Sequence, residues 1–180
     1  MKTSVYFQMA LILFSCGTFF NCKSQQISNY WNSRENNKGS IVLHKNSQRD
    51  NFPKKFKLFE LNLVSFKQTI FQAVESKKEV QIILPNLDGE YETFSVSESS
   101  SFSPELQAQY PDLRSFSGKG ITDKYANINL SYSPDGIQVM IIRADKESEF
   151  MEVYSKDNKI YALFNKSDKN PNWNCTTPTR

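Results

Sequence analysis

Between residues 126 and 144 the chain reads ANINLSYS, PDG, IQVMIIRA. Ala126, Ile128, Leu130 and Tyr132 fall on one side of this run, and Asn127, Asn129 and Ser131 on the other. A period of two fits a half-buried strand, whereas a helix would mix both sets on every face. The Pro-Asp-Gly between the two runs supplies turn chemistry, so the pair predicts an antiparallel hairpin. Two more hairpins are expected from EVQIILPN, LDGE, YETFSVSE and from FMEVYS, KDNK, KIYALFNKS, and single strands from FKLFELNLV and RSFSGKG. A chain with 14 Phe, 8 Tyr and only 6 Gly suits packed β structure.

Two stretches depart from the period of two. In SFKQTIFQAVES, Phe66, Ile70, Ala73 and Val74 share a helical face, and Ser65 with Gln68 has capping-box spacing. SPELQAQYP is a short helix, with Ser103 as N-cap and Pro104 at the first position, where a missing N–H costs nothing. The expected fold class is α+β, mainly antiparallel β, with about seven or eight strands and two short helices.

The ends read differently. Residues 1–24 are expected to be a signal peptide: Lys2 gives a positive start, and VYFQMALILF is an apolar core too short to span a bilayer. Cleavage after Ser24 places Cys22 and Ser24 at the small-residue positions. A lipoprotein signal competes, because Leu13 and Ser15 before Cys16 resemble a lipobox; the residues before Cys22 resemble it less. Secretion to the medium or cell surface, and an outer-membrane lipoprotein with lipid on Cys16 or Cys22, are the two localisations this implies. No second apolar segment is long enough to form a transmembrane span. Residues 25–53 are rich in Asn, Ser, Lys and Gln and read as a mostly flexible linker, with SIVLH as a short strand and NYW at 29–31 as an aromatic pair able to dock. Residues 54–165 form the β-rich domain, and 166–180 a polar tail carrying Cys175.

Removing residues 1–24 takes away Lys2 and Lys23 and leaves 20 basic against 19 acidic residues. Nothing in this near-neutral balance favours nucleic acid, and KKFK at 54–57 reads as a solvated strand entrance. The sole histidine, His44, lies in the expected linker, where it is expected to be solvated and not catalytic. Metal sites built from several His or Cys are excluded. GKG at 118–120 lacks P-loop spacing and reads as a strand-end turn. Asp145, Glu147, Glu149 and Glu152 suit a charged loop entering a strand better than a glycosidase acid pair. Asp168, Asn170 and Asn172 alternate like a calcium loop, but Trp173 stands where that loop needs Gly, and Thr179 where it needs Glu. No enzyme activity and no cofactor are expected.

LPNLDGEYETFSV, SFSPELQAQYPDLRSFSGKGI, LSYSPDGIQVMIIRA, EFMEVYSKDNKIYALF and NCT occur in that order. The set, over residues 56–176, resembles the N-terminal propeptide region of secreted reprolysin-like zinc metallopeptidases of Bacteroidetes-type bacteria, and NYW fits the start of such a proprotein. In that family a catalytic domain with H-E-x-x-H-x-x-G-x-x-H follows; this sequence carries no such motif. The resemblance implies a propeptide truncated or separated from its protease, which assists folding or holds the protease latent. It also makes a zinc metalloprotease the expected partner. Cys175 then gains a hypothetical role: a thiolate on the partner's zinc would occupy the position a catalytic water needs. The alternative is a secreted or lipid-anchored β-rich binding module, with Cys175 an incidental thiol.

Overall fold

In a computed structural model of the chain, residues 30–34, 41–48 and 52–168 are described. They form strands β1 (Trp31–Arg34), β2 (Lys57–Leu61), β3 (Val80–Pro85), β4 (Tyr91–Glu98), β5 (Arg114–Gly120), β6 (Asn127–Ser133), β7 (Gly136–Ile142), β8 (Glu149–Val153) and β9 (Ile160–Asn165). Helix α1 (Leu63–Ser76) joins β2 to β3, helix α2 (Pro104–Gln109) lies between β4 and β5, and 3-10 turns occupy Lys45–Gln48 and Lys166–Asp168. The strands make one sheet in the order β1-β2-β9-β8-β7-β6-β5-β4-β3, every neighbour antiparallel. Mainly antiparallel β with two helices agrees with the sequence reading; nine strands exceed the seven or eight expected.

The ninth strand is β1, inside the stretch expected as linker. Trp31 is 1% exposed and Tyr30 5%. The sheet curls into a half-barrel until its two edges nearly meet. Across that seam the Trp31 indole N–H donates to the carbonyl oxygen of Ile83 on β3 at 2.8 Å, and the Tyr91 hydroxyl reaches the Trp31 carbonyl oxygen at 3.4 Å. Trp31 also meets Phe66 of α1 and Tyr161 of β9 edge to face, at 6.2 and 5.7 Å between ring centres. Alternation puts Phe59, Leu61, Ile82, Leu84, Phe94, Val96, Phe116, Ile128 and Leu130 on the inner face, where α1 adds Phe66, Ile70 and Ala73. The N-cap of α1 is Asn62, not Ser65: the Asn62 side chain accepts the Ser65 N–H at 3.1 Å, so the helix starts early enough to include Leu63 and Val64. The Ser103 cap and Pro104 of α2 stand as expected.

The outer face of β2, β9 and β8 is covered too. Leu58, Ile160, Ala162, Phe164 and Tyr154 form a second apolar cluster, against which Ile41, Leu43, Phe52 and Phe56 pack. His44, expected to be solvated, is 9% exposed; its N–H donates to Tyr154 O at 2.9 Å, and its Nδ1 accepts the Asn46 N–H at 3.2 Å. The SIVLH stretch contributes a single bridge, Leu43 to Ser155. The described parts of residues 25–53 are therefore packed on the sheet on both its faces.

GKG, expected as a strand-end turn, belongs to β5, with Gly118 opposite Val96. The β4 backbone passes so close that a side-chain carbon on Gly118 would lie 2.0 Å from Ser95 O. Gly136 opens β7 with φ of 108°, and the same addition there would meet the Tyr161 hydroxyl at 2.6 Å.

The position of Trp31 makes β1 part of the core. Trp31→Ala is expected to lower unfolding free energy by about 3–5 kcal/mol, as other buried Trp truncations do. A fragment of residues 54–165, lacking β1, is expected to unfold at distinctly lower urea than the full chain. Equal midpoints in a urea titration would take β1 out of the core.

Candidate functional site

The densest polar arrangement among the described residues lies at one end of the half-barrel. Here β4, β6 and β8 begin, β5 and β7 end, and β9 hands the chain on. The inward parity of β7 runs Ile137, Val139, Ile141 and then reaches Arg143. The parity of β8 begins at Glu149, and that of β4 has Glu92 two residues before Phe94. Three charged side chains are thus carried to the inner face at one level.

Arg143 is the centre. Its Nη2 donates to Glu92 Oε2 at 2.8 Å and Glu149 Oε2 at 2.9 Å, and its Nη1 to Asp123 Oδ2 at 2.9 Å. The guanidinium side chain is 2% exposed, with Glu149 at 9%, Glu92 at 13% and Asp123 at 28%. Burial opposes the charge on Arg143, but the bonds to Glu149 and Glu92 outweigh it and hold the group above the ordinary arginine range. The Asp123 carboxyl is held below the usual aspartate range, first by the Tyr125 N–H that it accepts at 3.0 Å and then by Arg143. Glu92 also takes a bond from Asn86 Nδ2 at 2.9 Å. Asn86 Oδ1 in turn accepts the N–H groups of Asp88 and Glu90, so the β3–β4 turn is tied to the same cluster. Arg143 Nε is buried without an acceptor.

Of the carboxylates singled out in the sequence, only Glu149 joins this cluster. Glu147 accepts from the Ser167 hydroxyl at 2.6 Å. Glu152 is half-buried on β8 and Asp145 is exposed in the β7–β8 loop. Glu92, Asp123 and Arg143 were missed. No group of three or more His, Cys, Asp or Glu able to hold a metal occurs among the described residues, and none of their helices is long and apolar enough to cross a membrane. Cys16, Cys22 and Cys175, with Asn170 and Asn172, lie outside the described residues.

The chain leaves the sheet at this same end. The Lys166 N–H donates to Ser148 O at 3.2 Å and the Asn165 N–H to Asp168 Oδ2 at 3.3 Å, which fixes residues 165–168 beside the β7–β8 loop. At the opposite end a cleft of about 230 Å³ opens under Phe102, lined by Ser100, Ser115, Ser131, Arg114 and Gln138. Comparison with protein-family models, with curated proteins and with solved structures finds no match to this chain.

Removing the guanidinium leaves acidic groups buried without their partner. Arg143→Met is expected to destabilise by about 3–5 kcal/mol, and adding Glu149→Gln to recover part of that; urea unfolding of the two variants checks both. A depressed aspartate stabilises the fold above its unfolded pKa of about 3.9 and loses that contribution as pH falls through the lower folded value. Melting temperature is therefore expected to drop more steeply below about pH 4 for wild type than for Asp123→Asn.

Proposed function

We propose that this chain is a non-catalytic, propeptide-like domain of a secreted zinc metalloprotease, which holds the protease latent or assists its folding. One observation carries the reading. The last described turn, Lys166–Asp168, is anchored at the Arg143 end of the sheet, seven residues before Cys175 in the sequence. Seven extended residues span at most about 25 Å, enough for a thiol to enter a neighbouring cleft from a fixed base. At a catalytic zinc, a thiolate occupies the position otherwise open to water, and the metal itself favours loss of the thiol proton. The ties of Glu92, Asp123 and Glu149 to Arg143 fit a scaffold better than an acid-base pair. The reading takes the chain as exported, secreted or lipid-anchored at Cys16 or Cys22.

The cleft under Phe102 favours a second reading, a β-rich binding module. An exposed aromatic above serine hydroxyls and an amide suits a polar ring or a peptide.

Inhibition of a reprolysin-like catalytic domain by wild type and by Cys175→Ser separates these readings. Strong inhibition by wild type, weakened at least about tenfold in Cys175→Ser with residual binding, is the expected result. Equal inhibition by both makes the thiol incidental. No inhibition by either passes the case to the binding module.

A further inference from the structure

The cleft under Phe102 has three lining side chains in register. Ser115 of β5 stands opposite Ser131 of β6, and Ser131 opposite Gln138 of β7. At the usual strand spacing this row runs about 10 Å across the sheet. All three residues are exposed, and among the described residues none of their side chains takes part in a hydrogen bond. Two hydroxyls and a carboxamide therefore offer both donors and acceptors to a ligand. Phe102, 43% exposed, supplies an apolar wall.

That wall is held in place. Before it, the Ser99 N–H donates to Ser115 O at 2.8 Å and the Ser115 N–H to Ser100 Oγ at 3.0 Å, which keeps residues 99 and 100 against β5. After it, Ser103 caps α2. Gln107 Nε2 then donates to Tyr110 O at 2.8 Å and to Leu113 O at 3.1 Å, which ties α2 to the segment leading back into β5. A ligand meets a preformed site and loses little of its binding energy to ordering the loop.

The lining selects the ligand. Arg114 is the one charged side chain among the described residues that line the cleft, and it is engaged: Nη1 donates to Glu98 Oε1 at 2.6 Å and Nε to Pro111 O at 2.9 Å. An anion would meet no unpaired charge. β5 and β6 have strand neighbours on both sides, so they offer no open backbone edge to an extended peptide. Uncharged hydroxyls beside an aromatic ring match a molecule with hydroxyls round its rim and C–H groups on its face. The volume, about 230 Å³, lies below the about 300–1,000 Å³ of pockets for drug-sized ligands, so the cleft takes one ring. We propose that this cleft binds one neutral pyranose unit, its C–H face on Phe102 and its hydroxyls on Ser115, Ser131 and Gln138. The proposal rests on the binding-module reading and gives that reading its ligand.

The test is NMR of the isotope-labelled full chain, with the methyl glycosides of glucose, galactose, mannose and N-acetylglucosamine as probes. At least one is expected to shift the signals of Ser115, Ser131 and the Gln138 carboxamide saturably. Phe102→Ala is expected to weaken that binding at least about fivefold, with an unchanged melting temperature. Gln138→Ala is expected to weaken it too, through lost hydrogen bonds. Tyr125→Ser, at the other end of the sheet, is expected to change nothing, and added salt to leave the affinity as it is. Binding that ignores both cleft variants, or that falls steeply with salt, overturns the proposal. Saturable shifts at these residues with the tripeptide amide Ala-Tyr-Ala, and with no glycoside, overturn it while the binding-module reading stands. No shift from any probe overturns both.

Discussion

The indole N–H of Trp31 on the carbonyl oxygen of Ile83 joins the first strand of the sheet to the last. Nine antiparallel strands left open would expose two edges and one broad apolar face. Strand twist brings the edges toward each other, but β1 and β3 share no ladder; a side chain spans the gap. Trp31 suits that place because it is both donor and wedge: its ring fills the space between Phe66 of α1 and Tyr161 of β9 while its N–H satisfies the half-buried Ile83 carbonyl. The interior that α1 fills with Phe66, Ile70 and Ala73 exists only because the sheet is drawn round in this way.

That curl sets different demands on different strands. From β3 to β7 the outer face meets water and carries Ser95, Ser117, Asn127, Asn129 and Ser131, so these strands alternate. β9 lies between β2 and β8 and is buried from Ile160 through Phe164 on both faces. Its sequence accordingly runs apolar without a break, as strands covered on both sides do. The outer cover has to come from elsewhere in the chain, and Ile41, Leu43, Phe52 and Phe56 supply it. A polar-looking leader is thus bound through a few apolar residues, on the inner face by Tyr30 and Trp31 and on the outer by these four.

Seven strands and α1 are legible from a period or its flanking turns, β9 from an unbroken apolar run after the KDNK turn, and α2 from its Ser103 cap and Pro104. β1 is not: of Trp31–Arg34 only Trp31 is buried, and one residue has no period. Asn62 falls inside the expected strand FKLFELNLV, because its capping role depends on where the helix starts, three residues before Ser65. Gly118 looked like turn punctuation, since nothing in the sequence tells how closely β4 will pass. The ion cluster was half legible. Strand parity alone assigns Glu92, Arg143 and Glu149 to the inner face at the same end, and three charges at inward positions predict mutual pairing. Asp123 sits in a loop, where parity gives no direction.

The cluster also bears on what the barrel end can do. Three carboxylates around one guanidinium form a mutually bonded group, and Asp123 is held ionised by its bonds. A general acid needs a proton to give near neutral pH, and the bonds to Asp123 work against its holding one. What the bonds do supply is stiffness: the β3–β4 turn through Asn86, the β5–β6 loop through Asp123 and the β7–β8 loop through Glu149 share one anchor, and the chain leaves beside it. The bonds that hold these three loops to Arg143 thus also give the last described turn, Lys166–Asp168, a fixed base beside Glu147 and Ser148.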